Sequence, residues 1–152
     1  MPIDLNEFYT AITSYSIYYY DREENSIVID QINHDKFLSF AASKASPKEK
    51  WDFISTQKPS GAYDPKRYPI IDKHDVRKEI CTYIDRMTDE SYKALLDLPG
   101  DDIIHAFHVK VTDDGFFDQW EYFEYNYILD KAAEWCDQHN IKYFREPFAP
   151  IC

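Results

Sequence analysis

The stretch DQWEYFEYNYILDKAAEWCDQHN, residues 118 to 140, decides how the second half of this chain folds. At 100° per residue in an α-helix, Phe116, Phe117, Trp120, Phe123, Tyr127, Ile128 and Trp135 fall on one broad arc. Tyr122, Tyr125, Leu129, Ala132 and Ala133 continue it, and only a narrow wedge of Gln119, Asn126, Asp130 and Asp137 is wholly polar. A helix apolar on most sides packs against neighbours on more than one face. Each large side chain it buries contributes ~1.5–3 kcal/mol, so this stretch is expected to be the central helix of the core. Glu124 and Lys131 interrupt the arc. A buried carboxylate is costly unless paired, so Glu124 should meet Lys131, Arg77, Arg86 or a tyrosine hydroxyl. The chemical alternative makes Glu124, with Glu121 close by, a general acid or base with a raised pKa; a structural ion pair is the simpler reading.

The end of the stretch looks like a motif, because Cys136 and His139 are i,i+3 neighbours. A nucleophilic cysteine is usually found at a helix N-terminus, where the dipole stabilises a thiolate. Cys136 lies at the opposite end. Zinc would need two further Cys or His ligands, and the chain has no CxxC and no HxxxH. The other histidine cluster, DDIIHAFH, places Asp101, His105 and His108 on one helix flank. Two His and a carboxylate are ligand types for a divalent metal such as non-haem iron. Such triads normally draw on separate elements, so a solvated helix face is the plainer reading. No other cofactor signature is present: GxGxxG and GxxxxGK[ST] are absent, and three glycines leave few phosphate-cradling loops. His34 and His74 have no partners that spacing identifies.

Working outward, TDDG and LPG separate the long helix from two shorter ones. Asp101 and Asp102 favour the start of one of them; its inner face carries Ile103, Ile104, Phe107 and Val111. Thr88 is read as the cap of the other, which carries Tyr92, Leu95 and Leu96. Val76, Ile80, Tyr83, Ile84 and Met87 mark an amphipathic helix before them. Residues 57–72 carry three prolines and a glycine and read as a connector ending in a short strand, 68–71. Ser46, Pro47 and Glu49 spell a capping box at a helix start. Asn33 is read as the cap of the helix before that one, with Phe37, Phe40 and Ala41 inward. SIYYYDREENSIVID, residues 16–30, reads as a hairpin, with one tyrosine face inward and the other partly wet. Asp4 opens a first helix over 5–13.

The whole is expected to be α+β: one domain, 1–152, with a small N-terminal antiparallel sheet in a mixed part, 1–71. A helical part, 72–152, is arranged around the long helix, and five or six helices are expected in all. The net charge of −11 argues against direct nucleic-acid binding through a basic face and against an anionic membrane surface. No apolar run approaches the ~20 residues of a membrane span, and the N-terminus lacks a signal-peptide pattern. Cys81, Cys136 and Cys152 are odd in number and far apart, which reads as free thiols in a reducing cytoplasm. Cys152 does not form a prenylation box.

Gly100 followed by Phe107, then Trp120-x-x-Phe123, then Glu134-Trp135-Cys136 before NIKYF form a series of landmarks, with DREENSIVID as an acidic hairpin upstream. In these features the chain resembles Uncharacterised Protein Family 0158, small and mostly bacterial proteins, over roughly residues 76–146. The resemblance implies a fold and no reaction, so it brings no catalytic residues. Where that family often has Arg or Lys after the glycine, this chain has His105 and His108, whose charge would follow pH.

The expected function is a non-catalytic, cytoplasmic, protein-binding or regulatory module, with aromatics as interface anchors and a basic partner if the net charge guides docking. The alternatives are a metal-dependent hydrolase or oxygenase using Asp101, His105 and His108, or an acidic immunity or nucleic-acid-mimic protein. Oligomeric state is not set by the sequence.

Overall fold

Short polar side chains start most of the helices in this computed structural model, which describes residues 1–146. The Asp4 carboxylate accepts the Asn6 N–H and opens a 3₁₀ turn, Leu5–Phe8, which runs into α1, Tyr9–Thr13. Asp30, rather than Asn33, caps α2, Gln31–Ala41, by accepting the Asn33 N–H. Ser46 and Glu49 close the expected capping box on α3, Pro47–Ser55. Asp75 caps α4, Val76–Asp85, and Asp89, rather than Thr88, caps the short α5, Glu90–Lys93. Each acceptor satisfies an N–H that has no partner inside its helix. After α6, Asp102–Asp113, Gly115 takes φ +76° and the Phe116 N–H returns to the Val111 carbonyl at 2.8 Å. That left-handed turn is the glycine-favouring helix stop, and it releases the chain into α7, Phe117–Gln138.

The described chain packs into two compact units, residues 1–73 with 132–146, and residues 74–131. The first boundary falls two residues past the expected 71. The second falls inside α7, because the chain's far end belongs with its beginning.

In the first unit, β2 (Tyr18–Asp21) and β3 (Ser26–Ile29) form the expected antiparallel hairpin, in register from Tyr18 opposite Ile29 to Asp21 opposite Ser26. Tyr19 also bridges to Ile70 where a strand was expected; no strand forms over 68–71. A second, parallel pair joins β1, Ile3–Asp4, to β4, Tyr143–Phe144. The tyrosine pattern departs from the sequence reading. Tyr19 and Tyr20 are adjacent, so they point to opposite faces, yet both are buried. Tyr19 stacks on Tyr63, and Tyr20 packs against Phe8 and Trp135, so both faces of this hairpin are covered. Beside them, the Arg67 guanidinium donates to both oxygens of buried Asp21, at 2.9 and 3.0 Å.

In the second unit, α4, α5, α6 and the first half of α7 enclose Ile80, Ile84, Tyr92, Ile103, Phe107, Val111 and Trp120. Trp120 sits among the rings of Phe107, Tyr83 and Phe123, with centroids at 4.8, 5.3 and 5.8 Å. Tyr92 donates its hydroxyl proton to Asp114 at 2.8 Å, so its polar end is satisfied.

The fold is α+β with a small N-terminal sheet, and the described residues carry seven α-helices. Along α7 the arc is buried at Trp120, Ile128, Leu129, Ala132, Trp135 and Cys136, while Phe116, Phe117 and Tyr122 remain exposed. The helix is therefore less deeply buried at its start than its composition suggests. Among the described residues, no helix is long and apolar enough to cross a membrane. Cys81 and Cys136 are free thiols, and Cys152 lies outside the described residues.

Candidate functional site

Glu124 does meet a partner, but it is another acid. The ligand-type atoms of His74, Glu79 and Glu124 all lie within 4.8 Å of one another. His74 precedes the Asp75 cap, Glu79 lies one turn into α4, and Glu124 comes from α7. Glu79 is 0% exposed, Glu124 is half-buried, and His74 Nδ1 pairs with Glu79 Oε1. Glu79 Oε2 is buried with no hydrogen-bond donor. Two like charges within 4.8 Å of each other repel by at least ~3 kcal/mol at an effective dielectric of 20. Burial, reinforced by the hydrogen bond and charge of Glu79, pushes the Glu124 pKa up to about 7; His74 opposes the shift. A protonated Glu124 supplies the donor that Glu79 otherwise lacks.

This shift makes the protein less stable as pH rises. The folded-state pKa exceeds the ordinary 4.5, so the folded chain holds its proton longer than the unfolded chain. Stability attributable to Glu124 is present below pH ~4.5 and is lost as pH climbs through ~7. Glu124→Gln should remove that slope. Denaturant unfolding in the presence of a chelator should show the variant more stable at pH 8 by on the order of 1–2 kcal/mol, after discounting for solvent screening. At pH 4 the two proteins should match.

The cations considered for Glu124 are placed elsewhere. Arg77 donates to the carbonyls of Leu98 and Gly100, and the Arg86 guanidinium lies over the Phe123 ring. The Lys131 ammonium lies over the Tyr127 ring. Glu121 is exposed and adds a small push to Glu124. Asp101 is the exposed first-turn neighbour of α6 and makes no side-chain cap; His105 is exposed, and His108 is half-buried beside Phe107 and Trp120. Among the described residues, these three do not form a converging ligand group. Cys136 is buried, and burial first, with Asp137 second, pushes its thiol up to about 12, so it is inert as a nucleophile at neutral pH. His139 stacks on Trp135 and donates to its carbonyl from Nδ1 at 2.7 Å.

Glu79 escaped the sequence reading. It stands between Val76, Ile80 and Tyr83 on the apolar stripe of α4, and an acid inside such a stripe was the sign available. His74 could not be assigned, because its partners lie 5 and 50 residues away in sequence.

A second feature belongs to the first unit. α2 and α3 pack on each other through Phe37, Phe40 and Phe53, with Phe40 and Phe53 stacked at 4.7 Å. Their seven large apolar side chains, Ile32, Phe37, Leu38, Phe40, Trp51, Phe53 and Ile54, are all at least partly exposed. Ile32, Leu38 and Trp51 reach 45%, 52% and 47% exposure. Trp51 meets exposed Tyr15 edge-on at 5.3 Å. A cleft of about 120 Å³ is lined by Ser14, Tyr15, Ser16, Phe37, Ile54 and Gln57, and the buried Gln57 Oε1 has no hydrogen-bond partner.

Comparison with family models, with curated proteins and with solved structures finds no match.

Proposed function

We propose that this chain is a non-catalytic, cytoplasmic protein-binding module that seats its partner on the α2–α3 hairpin. One observation carries the reading: a two-helix hairpin whose large apolar side chains are without exception at least partly exposed. Contiguous exposed apolar surface of this kind marks interaction sites. Trp51 with Tyr15 is the aromatic anchor pair.

The local charge narrows the partner. Residues 31–58 carry Lys36, Lys44, Lys48, Lys50 and Lys58 against Asp35, Glu49 and Asp52, a net of +2 in a chain whose total is −11. The partner at this face is therefore acidic, in place of the basic one that the overall charge suggests. An acidic amphipathic helix laid along the hairpin meets both requirements. We place the chain in Uncharacterised Protein Family 0158 on the same footing. Of the landmarks that carry the resemblance, Phe107, Trp120, Trp135 and Cys136 are buried packing positions, while Gly100 and Glu134 are exposed and Phe123 is half-buried.

The double variant Leu38→Glu/Trp51→Glu should keep its unfolding midpoint, because both side chains are about half exposed. Tagged wild type and variant, purified in parallel at moderate salt and quantified by mass spectrometry, should differ in one specific acidic protein, recovered at least ~30-fold less with the variant. Equal recovery of every protein by the two chains would remove the hairpin as the docking face.

A further inference from the structure

We propose that His74, Glu79 and Glu124 form a binding site for one divalent first-row transition-metal ion of the zinc class. This assignment is independent of the docking face on α2 and α3.

Three features point to an ion. The donor atoms converge within 4.8 Å, and ligands at ~2.0–2.2 Å from a shared tetrahedral ion stand ~3.3–3.6 Å apart, so a small inward movement of the side chains closes the set. Glu79 is fully buried, and its Oε2 has no hydrogen-bond donor. A buried carboxylate oxygen without a donor is rare in native proteins and calls for an explanation. The side chain paired with Glu79 is an imidazole, itself a metal ligand, rather than Lys or Arg. A dication would satisfy the orphaned oxygen and cancel the repulsion between the two carboxylates in one step.

The donor set selects the metal. One imidazole nitrogen with two carboxylates suits Zn(II), Fe(II), Co(II) or Mn(II); Mg(II) and Ca(II) favour oxygen alone, and Cu(I) favours sulfur. Three protein ligands leave at least one position for water or a ligand, unlike a closed structural zinc site. The ligands also come from separate segments, the residue before the α4 cap, α4 and α7, as metal triads usually do. Asp101, His105 and His108, on a single helix flank, lack that arrangement.

The test uses the whole chain, stripped by dialysis against a chelator. Zn(II) titrated in competition with a chromogenic chelator should saturate at one equivalent, and Co(II) should give a visible absorption band. Zn(II) should also raise the thermal midpoint. His74→Ala and Glu124→Gln should each weaken Zn(II) binding at least tenfold and abolish the rise in midpoint; His105→Ala and His108→Ala should change neither. Glu79 is buried and its substitution risks the fold, so Glu124→Gln, nearly isosteric and half-buried, is the deciding variant. The site is overturned if no saturable equivalent binds, if Glu124→Gln and His74→Ala bind like wild type, or if binding is lost instead with His105 or His108.

Discussion

Trp120→Ala should cost 3–5 kcal/mol, roughly the upper end for removal of a buried aromatic. Trp120 is 1% exposed and is enclosed by Tyr83, Phe107 and Phe123 within its own unit. Alanine leaves a ring-sized void, and the surrounding rings, each already held by another neighbour, collapse into it only partly. Tyr83 packs on Phe107 as well, and Phe107 on Tyr92. Domains hold only ~5–15 kcal/mol in total, and a unit of this size shifts its midpoint by ~4–8 °C per kcal/mol. The thermal midpoint should therefore fall by more than about 10 °C, and α4–α6 should lose hydrogen-exchange protection first. Phe117→Ala, three residues earlier and exposed, should stay within ~0.5 kcal/mol of wild type. The pair separates an aromatic arc that is core from one that is surface. If Trp120→Ala were as mild as Phe117→Ala, the long helix would not be the centre of its unit.

That contrast shows where the sequence could be read and where it could not. Period and caps are local, so α3, α4, the hairpin and the long helix were legible from spacing and from Ser46, Pro47 and Glu49. The β1–β4 pair was not, because two-residue strands have no period to detect and their pairing spans 140 residues. Asn33 reads as the cap of α2 because Asn and Asp are near-equal caps. Asp30 holds that place, while the Asn33 side chain donates to the Lys58 carbonyl. The aromatic arc describes a full-length buried face; the structure leaves Phe116, Phe117 and Tyr122 exposed, since apolar spacing says which residues share a face but not what covers it.

The candidate site divides the same way. Glu124 is visible as an acid in an apolar arc, yet spacing and charge point to cations or a tyrosine hydroxyl as its partner. Electrostatics favours an opposite charge, but His74 and Glu79 occupy the space. The histidines that looked like a motif, His105 and His108, are neighbours along one helix. The histidine that meets two carboxylates, His74, stands in no motif at all. Proximity in sequence is evidence for ligation only when the scaffold also brings the groups to one point.

Asp30→Ala should be nearly as severe as Trp120→Ala, by another mechanism. Asp30 is 0% exposed and serves three donors at once: the Tyr19 hydroxyl at 2.7 Å, the Ser60 N–H at 3.0 Å and the Asn33 N–H at 3.2 Å. It thereby ties the sheet hairpin, the loop at Ser60 and the start of α2 to one carboxylate. Alanine deletes a helix cap worth ~1 kcal/mol. It also leaves the Tyr19 hydroxyl and the Ser60 N–H unpaired, each at ~1–3 kcal/mol. The sum is roughly 3–5 kcal/mol, since neighbouring losses do not add fully. Asp30→Asn keeps the shape and one acceptor oxygen, so it should lose less. The effect carries a pH signature that a cavity lacks. Burial alone would raise the Asp30 pKa, but hydrogen bonds from Ser60, Tyr19 and Asn33 outweigh it and hold the group below the ordinary 3.8. A depressed folded-state pKa means stability that is fully present above ~3.8 and lost as pH falls below it. The gap between wild type and Asp30→Ala in urea unfolding should therefore be constant from pH 8 down to about pH 5 and narrow below pH 4. The Trp120→Ala gap should not narrow. Because Asp30 also caps α2, the alanine variant should lose the acidic partner along with its stability, whereas Leu38→Glu/Trp51→Glu should lose the partner alone. A pH-independent loss in Asp30→Ala would mean that the carboxylate only fills space between β2 and α2.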